Sequence, residues 1–385
     1  MQVTGTPKVS VEVNSNNLLR QVPVLDTVAG IIGTAKTGSL IGKVVTVYSY
    51  DDAIEKGYTP DAEPYLNGVI QQFYNELGGN QELWILGVED TQTMTQMLTA
   101  TNNNGIKKLL TVSAGRVNLV FAGRNPDSSY LPGDDFLDKD VATAVTVSKA
   151  ICQYQQSINR PVRILIEGRV SNVNSTTIYK PIEGDNTFVG VVLGNNKKDG
   201  SACGGLALAR ACKFEAHIKL GNGQNGILSI TEGYIGNKPL EEFTPTELDI
   251  LTDAGYIILH RREGSAGYYF SVDKMAGKDD FHILAHGRII DKAQRIAAAT
   301  TTPFLETSLR ITKQGNINET DAKYIEDIIK SQLRAQMEGQ ISGLDVIVPL
   351  EQDVINSSKL AIQVKIQPLG YLTWIVVTLG LSKII

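Results

Sequence analysis

Short apolar runs rich in β-branched residues recur along the first part of the chain, and segments with helical spacing separate them. The runs VAGIIGTAKTG, VVTVYSY, WILGV, RVNLVFAG, VRILIEGR, TFVGVVLG and GYIILHRR predict strands. The segments PYLNGVIQQFYNEL, VATAVTVSKAICQYQQ, GGLALARACKF and TPTELDILTDA predict helices. Strands alternating with helices favour a largely parallel sheet with helices on both faces. We therefore predict an α/β body over residues 21–263.

The pattern changes after Gly264 and predicts a C-terminal α+β domain over residues 264–369. LETSLRITKQG predicts a strand with a turn, and DVIVPL and LAIQVKIQPLG predict two further strands. ETDAKYIEDIIKSQLRAQM predicts an amphipathic helix. Its inner face consists of Ile325, Ile328, Ile329, Leu333 and Met337.

Both ends of the chain predict extended β arms, at residues 1–20 and 370–385. KVSVEV alternates polar and apolar residues, which places Val9, Val11 and Val13 on one face of a strand. In YLTWIVVTLGL, Leu372, Trp374 and Val376 share a face, and the opposite face is also apolar. A strand with two apolar faces needs cover on both sides. This segment is too short to span a membrane, and the N-terminus lacks the pattern of a signal peptide, so we predict no membrane insertion.

Composition and charge exclude several classes of protein. The chain has 385 residues and a formal net charge of −5, whereas a general nucleic-acid binder carries a basic excess. Its cysteines are Cys152, Cys203 and Cys212, whose number and spacing fit neither a disulfide framework nor a zinc knuckle. We therefore expect reduced thiols, no nucleic-acid partner and no cofactor.

The glycine-rich segment 221–226 gives the alternative function, a cytoplasmic nucleotide-dependent α/β enzyme. GNGQNG has the form G-x-G-x-x-G, which binds dinucleotides only where a strand precedes it and a helix follows. Here ILSITEGYI follows, and this segment predicts a strand. Gly33 and Gly38 have the spacing of a phosphate-binding loop, but Ser39 and Leu40 stand where that loop needs Lys and Ser or Thr.

A histidine pair begins the segment FHILAHGRIIDKAQRIAA, residues 281–298. His282 and His286 have the spacing of a zinc pair on a helix, but Ile283 occupies the position of the glutamate that would activate a water. We interpret both as half-buried structural residues and predict no metal site. No other motif indicates catalysis, so we predict that the protein is not an enzyme.

The helix that follows these histidines has a basic ridge. Arg288, Lys292 and Arg295 recur at i, i+4 and i+7, beside an apolar stripe, and Asp291 is expected to pair with Arg295. Such a ridge is either a solvated helix face or a surface that docks onto another protein.

Several segments in order resemble the tail sheath protein of contractile bacteriophage tails and related contractile injection systems. VAGIIGTAKTG followed by VVTVYSYDDAIEKGY is similar to that family's first strand and its strand–helix continuation. PYLNGVIQQFYNELGGNQELWILGV resembles its helix, double glycine and next strand. GYYFSVDKMAGKDDFHILAHGRIIDKAQRIAAA resembles the C-terminal signature of a subfamily common in prophages. The resemblance covers nearly the whole chain and departs most over residues 170–245, which are therefore expected to form an elaborated surface subdomain.

The resemblance implies a non-enzymatic protomer that polymerises around an inner tube and contracts to drive the tube through a target envelope. Its partners would be further copies of itself in stacked hexameric rings, the inner tail tube protein, and baseplate and tail terminator proteins. It would be assembled in the bacterial cytoplasm and reside in a virion tail or injection particle; phage, tailocin and cell-anchored systems fit equally. The family's arms would make Val9, Val11, Val13, Leu372, Trp374 and Val376 inter-subunit strand residues. Its tube-facing helix would make Arg288, Lys292 and Arg295 tube contacts.

Overall fold

The computed structural model describes residues 26–128, 130–373 and 375–376, which form two packed units. The strands of the larger unit are β1 (Ala29–Thr34), β2 (Val44–Val47), β3 (Leu83–Val88), β4 (Leu119–Gly123), β5 (Arg163–Glu167), β6 (Val189–Leu193), β7 (Tyr234–Ile235), β8 (Lys238–Pro239), β9 (Tyr256–His260) and β10 (Tyr269–Phe270). Its helices are α1 (Tyr50–Glu55), α2 (Pro64–Leu77), α3 (Met94–Leu98), α4 (Ile106–Val112), α5 (Lys139–Ser157), α6 (Gly204–Lys213) and α7 (Pro245–Ala254). The C-terminal unit contains α8 (Leu284–Thr301), α9 (Glu319–Met337), β11 (Ile341–Ile347), α10 (Val354–Ser357) and β12 (Gln363–Pro368).

An eight-stranded sheet forms the centre of the larger unit, in the order β10-β9-β6-β5-β4-β1-β3-β2. The six inner strands run parallel, and the edge strands β2 and β10 pair antiparallel with their neighbours. Strands β1, β4, β5 and β6 are buried along their whole length, which explains why they read as continuous apolar runs. The predicted α/β fold with a largely parallel sheet is confirmed.

Helix boundaries follow local capping chemistry. Helix α2 begins with Pro64 in its first turn and ends at Gly78, whose φ of 70° is the left-handed conformation that glycine adopts without strain. Helix α7 begins with a reciprocal hydrogen-bonded pair between Thr244 and Glu247, and ends at Gly255 with φ of 101°. The predicted helices over these segments are therefore confirmed.

The C-terminal unit has a separate apolar core between α8, α9 and the β11–β12 pair. The predicted inner face of α9 contributes to it: Ile325, Ile329, Leu333 and Met337 are buried. The unit begins later than residue 264, because β10 belongs to the large sheet and pairs with β9. The physical reason is that Tyr269 and Phe270 bury their side chains at the sheet edge, so the body extends past residue 263.

Two of the predicted strands are wrong. LETSLRITKQG forms no strand; Ile311 makes one isolated bridge with Ile317, and most of the preceding residues are exposed, although Leu309 packs partly against the C-terminal core. ILSITEGYI contains only the two-residue strand β7, because most of the segment is loop. In the described part of the chain, no helix is long and apolar enough to cross a membrane.

Candidate functional site

Helix α8 lies between the two cores and contributes a different face to each. Ile289, Ala293 and Ile296 are buried in the C-terminal core. The other face points into the body and contains Arg288, Asp291 and Lys292, each at most 5% exposed. A helix that is covered on both faces is unusual for so polar a sequence, and each buried charge has to find a partner.

Asp291 forms a buried ion pair with Arg163, the first residue of β5. The guanidinium donates from Nε to Asp291 Oδ2 at 2.7 Å and from Nη2 to Oδ1 at 3.0 Å. A third bond, from Nη1 to the carbonyl of Thr187, is 2.7 Å long. Gly287 of α8 packs directly on this guanidinium, where a Cβ would lie 2.2 Å from Cζ. The expected pair between Asp291 and Arg295 is therefore wrong, because Arg163 uses both carboxylate oxygens.

The guanidinium of Arg288 fastens α8 to the segment 211–218. Its Nη2 donates to the carbonyls of Ala211 at 2.6 Å and Phe214 at 3.0 Å, and to Thr27 Oγ1 at 2.9 Å. Its Nη1 lies 3.4 Å from the carbonyl of Ile218. Burial lowers the pKa of Arg288. Carbonyl dipoles thus replace the water that this cation would otherwise bind.

Lys292 joins the start of the described chain to the start of the small sheet. Its ammonium forms an ion pair with Asp26 and donates to Gln340 Oε1 at 3.2 Å. Arg295 is half-buried, and its Nη1 lies 3.4 Å from the carbonyl of Pro161.

The prediction of an exposed basic ridge is therefore wrong. The cations of Arg288 and Lys292 point into the subunit because the body supplies carbonyl and carboxylate partners for both. A tube contact was predicted for Arg288, Lys292 and Arg295. The charges of Arg288 and Lys292 are buried and therefore not exposed for such a contact.

The histidines at the start of α8 border a small titratable cluster. His282 Nδ1 lies 2.7 Å from the carbonyl of Asp279, and the ring of His286 lies 5.5 Å from the ring of Tyr371. Below them, Asp273 is fully buried, and burial raises the pKa of its carboxyl to about 6. Among the described residues, no group of three potential ligands is arranged to hold a metal ion.

Replacing both His282 and His286 with Ala is expected to leave metal content at background and the subunit folded, because backbone carbonyls and an aromatic ring surround these imidazoles. Elemental analysis of the purified wild-type and variant proteins measures this. Stoichiometric zinc in the wild type that disappears in the double variant would contradict it.

The carboxyl edge of the sheet, where doubly wound folds bind nucleotides, is occupied by carboxylates of this chain. After β1, the amide of Lys36 donates to Glu63 Oε1 and Oε2, both at 3.0 Å, and the amide of Thr37 donates to Oε1 at 2.5 Å. After β4, the amide of Arg124 donates to Glu167 Oε2 at 3.0 Å. The backbone donors that a phosphate would need are therefore used within the subunit.

The glycine-rich segment 221–226 is tied to the body through its carbonyl groups. Arg210 donates to the carbonyls of Asn225 at 3.0 Å, Gly226 at 3.2 Å and Ile227 at 2.6 Å. Arg262 binds the carbonyl of Gly221. A short 3₁₀ turn at Gly223–Asn225 stands where a dinucleotide site has a helix N-terminus, so the segment lacks the strand–loop–helix context.

The small sheet of the C-terminal unit consists of β11 and β12. In the described part of the chain, these two strands pair only with each other. Val346 on one face is buried, whereas Asp345 and Lys365 on the other face are exposed. Helices α8 and α9 stabilise this two-stranded sheet by packing on it, and strand edges that lack a partner are able to accept added strands.

Apolar side chains project from the chain just after this sheet. Leu372, Ile375 and Val376 are 88%, 77% and 90% exposed. Several exposed apolar residues close together in the chain are typical of an interaction surface. Tyr371 differs from them, because its hydroxyl donates to the carbonyl of His217 at 2.7 Å. Trp374 and the residues Val9, Val11 and Val13 of the predicted N-terminal strand lie outside the described residues.

Family models described as DUF2586, N-terminal domain, and DUF2586, C-terminal domain, match residues 6–274 and 280–384. Among curated proteins, no match is found. Solved structures match over almost the whole chain. The helical sheath of the anti-feeding prophage in its contracted state has a TM-score of 0.64 at 16% identity, covering 99% of this chain and 100% of that one. The contracted PVC sheath complex of an extracellular contractile injection system has a TM-score of 0.64 at 12% identity, covering 100% of this chain and 99% of that one.

A third match is a crystal structure of the sheath tail protein from Desulfitobacterium hafniense. It has a TM-score of 0.51 at 10% identity and covers 94% of this chain and 100% of that one. Because these alignments include both units, the chain has the fold of contractile sheath proteins.

Proposed function

Because this chain belongs to the DUF2586 family and has the fold of contractile sheath proteins, we propose that it is the structural protomer of a contractile tail sheath. The observation that carries the proposal is the extent of the match, 99% of this chain and 100% of the anti-feeding prophage sheath chain. A match over both units includes the small sheet as well as the α/β body, and the body alone is an architecture that many functions share.

The small sheet and the terminal segments supply a mechanism of assembly. Strands from neighbouring copies add to the free edges of β11 and β12 through main-chain hydrogen bonds. The C-terminal strand of the proposal uses Leu372, Trp374 and Val376, and the side chains of Leu372 and Val376 are exposed in the single subunit. The N-terminal strand uses Val9, Val11 and Val13. Head-to-tail contacts along the axis of the stack do not close on themselves, so they build a filament.

The partners follow from this role. Copies of the chain form stacked hexameric rings around an inner tail tube protein, and baseplate and tail terminator proteins bind the two ends of the sheath. Assembly takes place in the bacterial cytoplasm, and the product is a virion tail or injection particle that contracts to drive its tube through a target envelope. We do not assign Arg288 or Lys292 to the tube contact, since both are buried.

The enzyme alternative has less support. Glu63 and Glu167 occupy the backbone amides at the carboxyl edge of the sheet, and Arg210 and Arg262 hold the carbonyls of segment 221–226. Each of these groups has a structural partner within the subunit. A non-enzymatic role is therefore the better interpretation.

Negative-stain electron microscopy of the purified protein, with and without co-expressed tube protein, tests the proposal. Hollow tubes of regular width are the expected result. Soluble monomers that bind a nucleotide specifically and form no tubes would favour the enzyme instead.

Removing residues 372–385 is expected to abolish tubes and leave a folded subunit, because Leu372, Ile375 and Val376 make little contact with their own body. Removing residues 1–16 is expected to do the same. Tube counts and thermal unfolding curves measure the two effects separately. The matched control is Asp185→Ala in the full-length chain, which keeps both terminal segments and changes only a side chain that is 87% exposed. A truncated chain that unfolds, or that still forms tubes, would place the strand in the subunit's own core.

A further inference from the structure

Asp26, the first described residue, and Tyr371, near the start of the predicted C-terminal arm, bind neighbouring residues of the same loop. We call Asp26 the N-terminal root and Tyr371 the C-terminal root. At the N-terminal root, the amide of Ala216 donates to Asp26 Oδ2 at 2.8 Å. At the C-terminal root, the hydroxyl of Tyr371 donates to the carbonyl of His217 at 2.7 Å. Consecutive residues of one loop therefore hold Asp26 and Tyr371, although these lie at opposite ends of the described chain.

Side chains of helix α8 contact this loop and both roots. Arg288 binds the carbonyls of Phe214 and Ile218, one on each side of Ala216 and His217. Lys292 forms an ion pair with Asp26 from the same face of the helix. At the first turn of α8, the ring of His286 lies 5.5 Å from the ring of Tyr371. Ala216 is itself fully buried against the C-terminal core.

The same cluster reaches the small sheet. Gln340, which immediately precedes β11, accepts from Lys292 at 3.2 Å, and its Nε2 lies 3.4 Å from Asp26 Oδ2. The start of the sheet and the roots of both terminal segments are thus joined by side chains that are largely shielded from water. Buried, charge-assisted bonds are stiff because breaking any one leaves a polar group without a partner.

We propose that residues 214–219 and α8 form a common anchor that couples the two terminal segments, so that loosening one root loosens the other. The use of this coupling rests on the proposed function, in which each segment is bound by a different neighbour. Force applied to one terminal segment is then transmitted through the anchor to the other segment and to the start of β11. The large sheet does not carry this force. Arg288 and Lys292 act as positioning residues for the segments.

The test removes a contact of one root and measures how readily the other root opens. In Asp26→Asn, the ion pair with Lys292 is lost and the side-chain shape is kept. Chymotrypsin cleavage after Tyr371, which requires this ring to leave His286, is expected to become about fivefold faster, the factor given by loss of one net hydrogen bond. Mass spectrometry identifies the fragment that ends at Tyr371. The matched control is Asp345→Asn, which breaks the surface pair with Lys330 and should leave the rate unchanged.

The reciprocal experiment uses Tyr371→Phe, which removes only a hydroxyl. Hydrogen exchange of the Ala216 amide, whose acceptor is Asp26, is expected to become faster by a similar factor. If Asp26→Asn lowers the stability of the whole subunit, this second variant decides the matter. Unchanged cleavage in a folded Asp26→Asn variant, or unchanged Ala216 exchange in Tyr371→Phe, would show that the roots are independent. Both measurements use the unassembled full-length chain, so they stand apart from whether the protein forms tubes.

Discussion

Replacing Asp291 with Ala is expected to lower the free energy of unfolding by about 3–5 kcal/mol, a large part of the stability of an ordinary domain. The substitution leaves the guanidinium of Arg163, which is 1% exposed, without its carboxylate. That guanidinium cannot reach water, because Gly287 covers it and the aromatic rings of Phe188 and Phe281 lie within 5.3 and 5.9 Å. Urea unfolding monitored by circular dichroism measures the loss.

The control and a second variant separate pairing from packing. Asp185→Ala removes a carboxylate that is 2.8 Å from Lys149 but 87% exposed, and it should change stability far less than Asp291→Ala does. The double substitution Arg163→Met with Asp291→Leu leaves no unpaired charge and should recover much of the loss. A cost for Asp291→Ala as small as that of the control would mean that water reaches Arg163 in solution.

Because these charges are buried, reversing the charges of α8 would test the folding of the subunit and not its contact with a tube. Reversing Arg288, Lys292 and Arg295 to Glu places carboxylates against the carbonyls of Ala211 and Phe214 and against Asp26. The subunit should unfold, so a failure to assemble would carry no information about tube contact.

The α/β body was predictable because its strands and helices differ in local pattern. Buried parallel strands are continuous apolar runs, and capping residues mark helix ends such as Gly78 and Gly255. The short helices α3 and α4 were not predicted, since five and seven residues give too little periodicity to recognise.

The role of α8 was not predictable from its own spacing. A basic ridge beside an apolar stripe has the same pattern whether the cations meet water or buried partners, and these partners are distant in sequence: Arg163 lies 128 residues from Asp291, and Asp26 lies 266 residues from Lys292. One local signal was available. Ala285 and Gly287 lie on the turn that precedes Arg288, and such small residues let another segment pack closely against the helix.

Replacing Asp273 with Asn is expected to stabilise the protein at neutral and alkaline pH and to lose most of this effect in acid. Asp273 is 0% exposed, and burial raises the pKa of its carboxyl from 3.8 to about 6. The positive charges of Lys219 and Arg288 act in the opposite direction and lower this pKa, but the effect of burial is larger. His286 and Tyr371 complete the surroundings of the cluster.

The direction follows from proton binding in the two states. Because the folded chain holds its proton up to a higher pH than the unfolded chain, the ionised carboxylate penalises the fold most above pH 6, and the penalty fades as the pH falls toward 3.8. At pH 8 the Asn variant should be more stable by up to about 3 kcal/mol, and at pH 4.5 by about 1 kcal/mol. Urea unfolding at both pH values measures this difference in stability. The control is Asp253→Asn, because that side chain is 84% exposed and its ion pair with Lys274 is long, at 3.8 Å. A less stable Asn variant at pH 8 would mean that Lys219 and Arg288 stabilise the ionised carboxylate by more than burial penalises it.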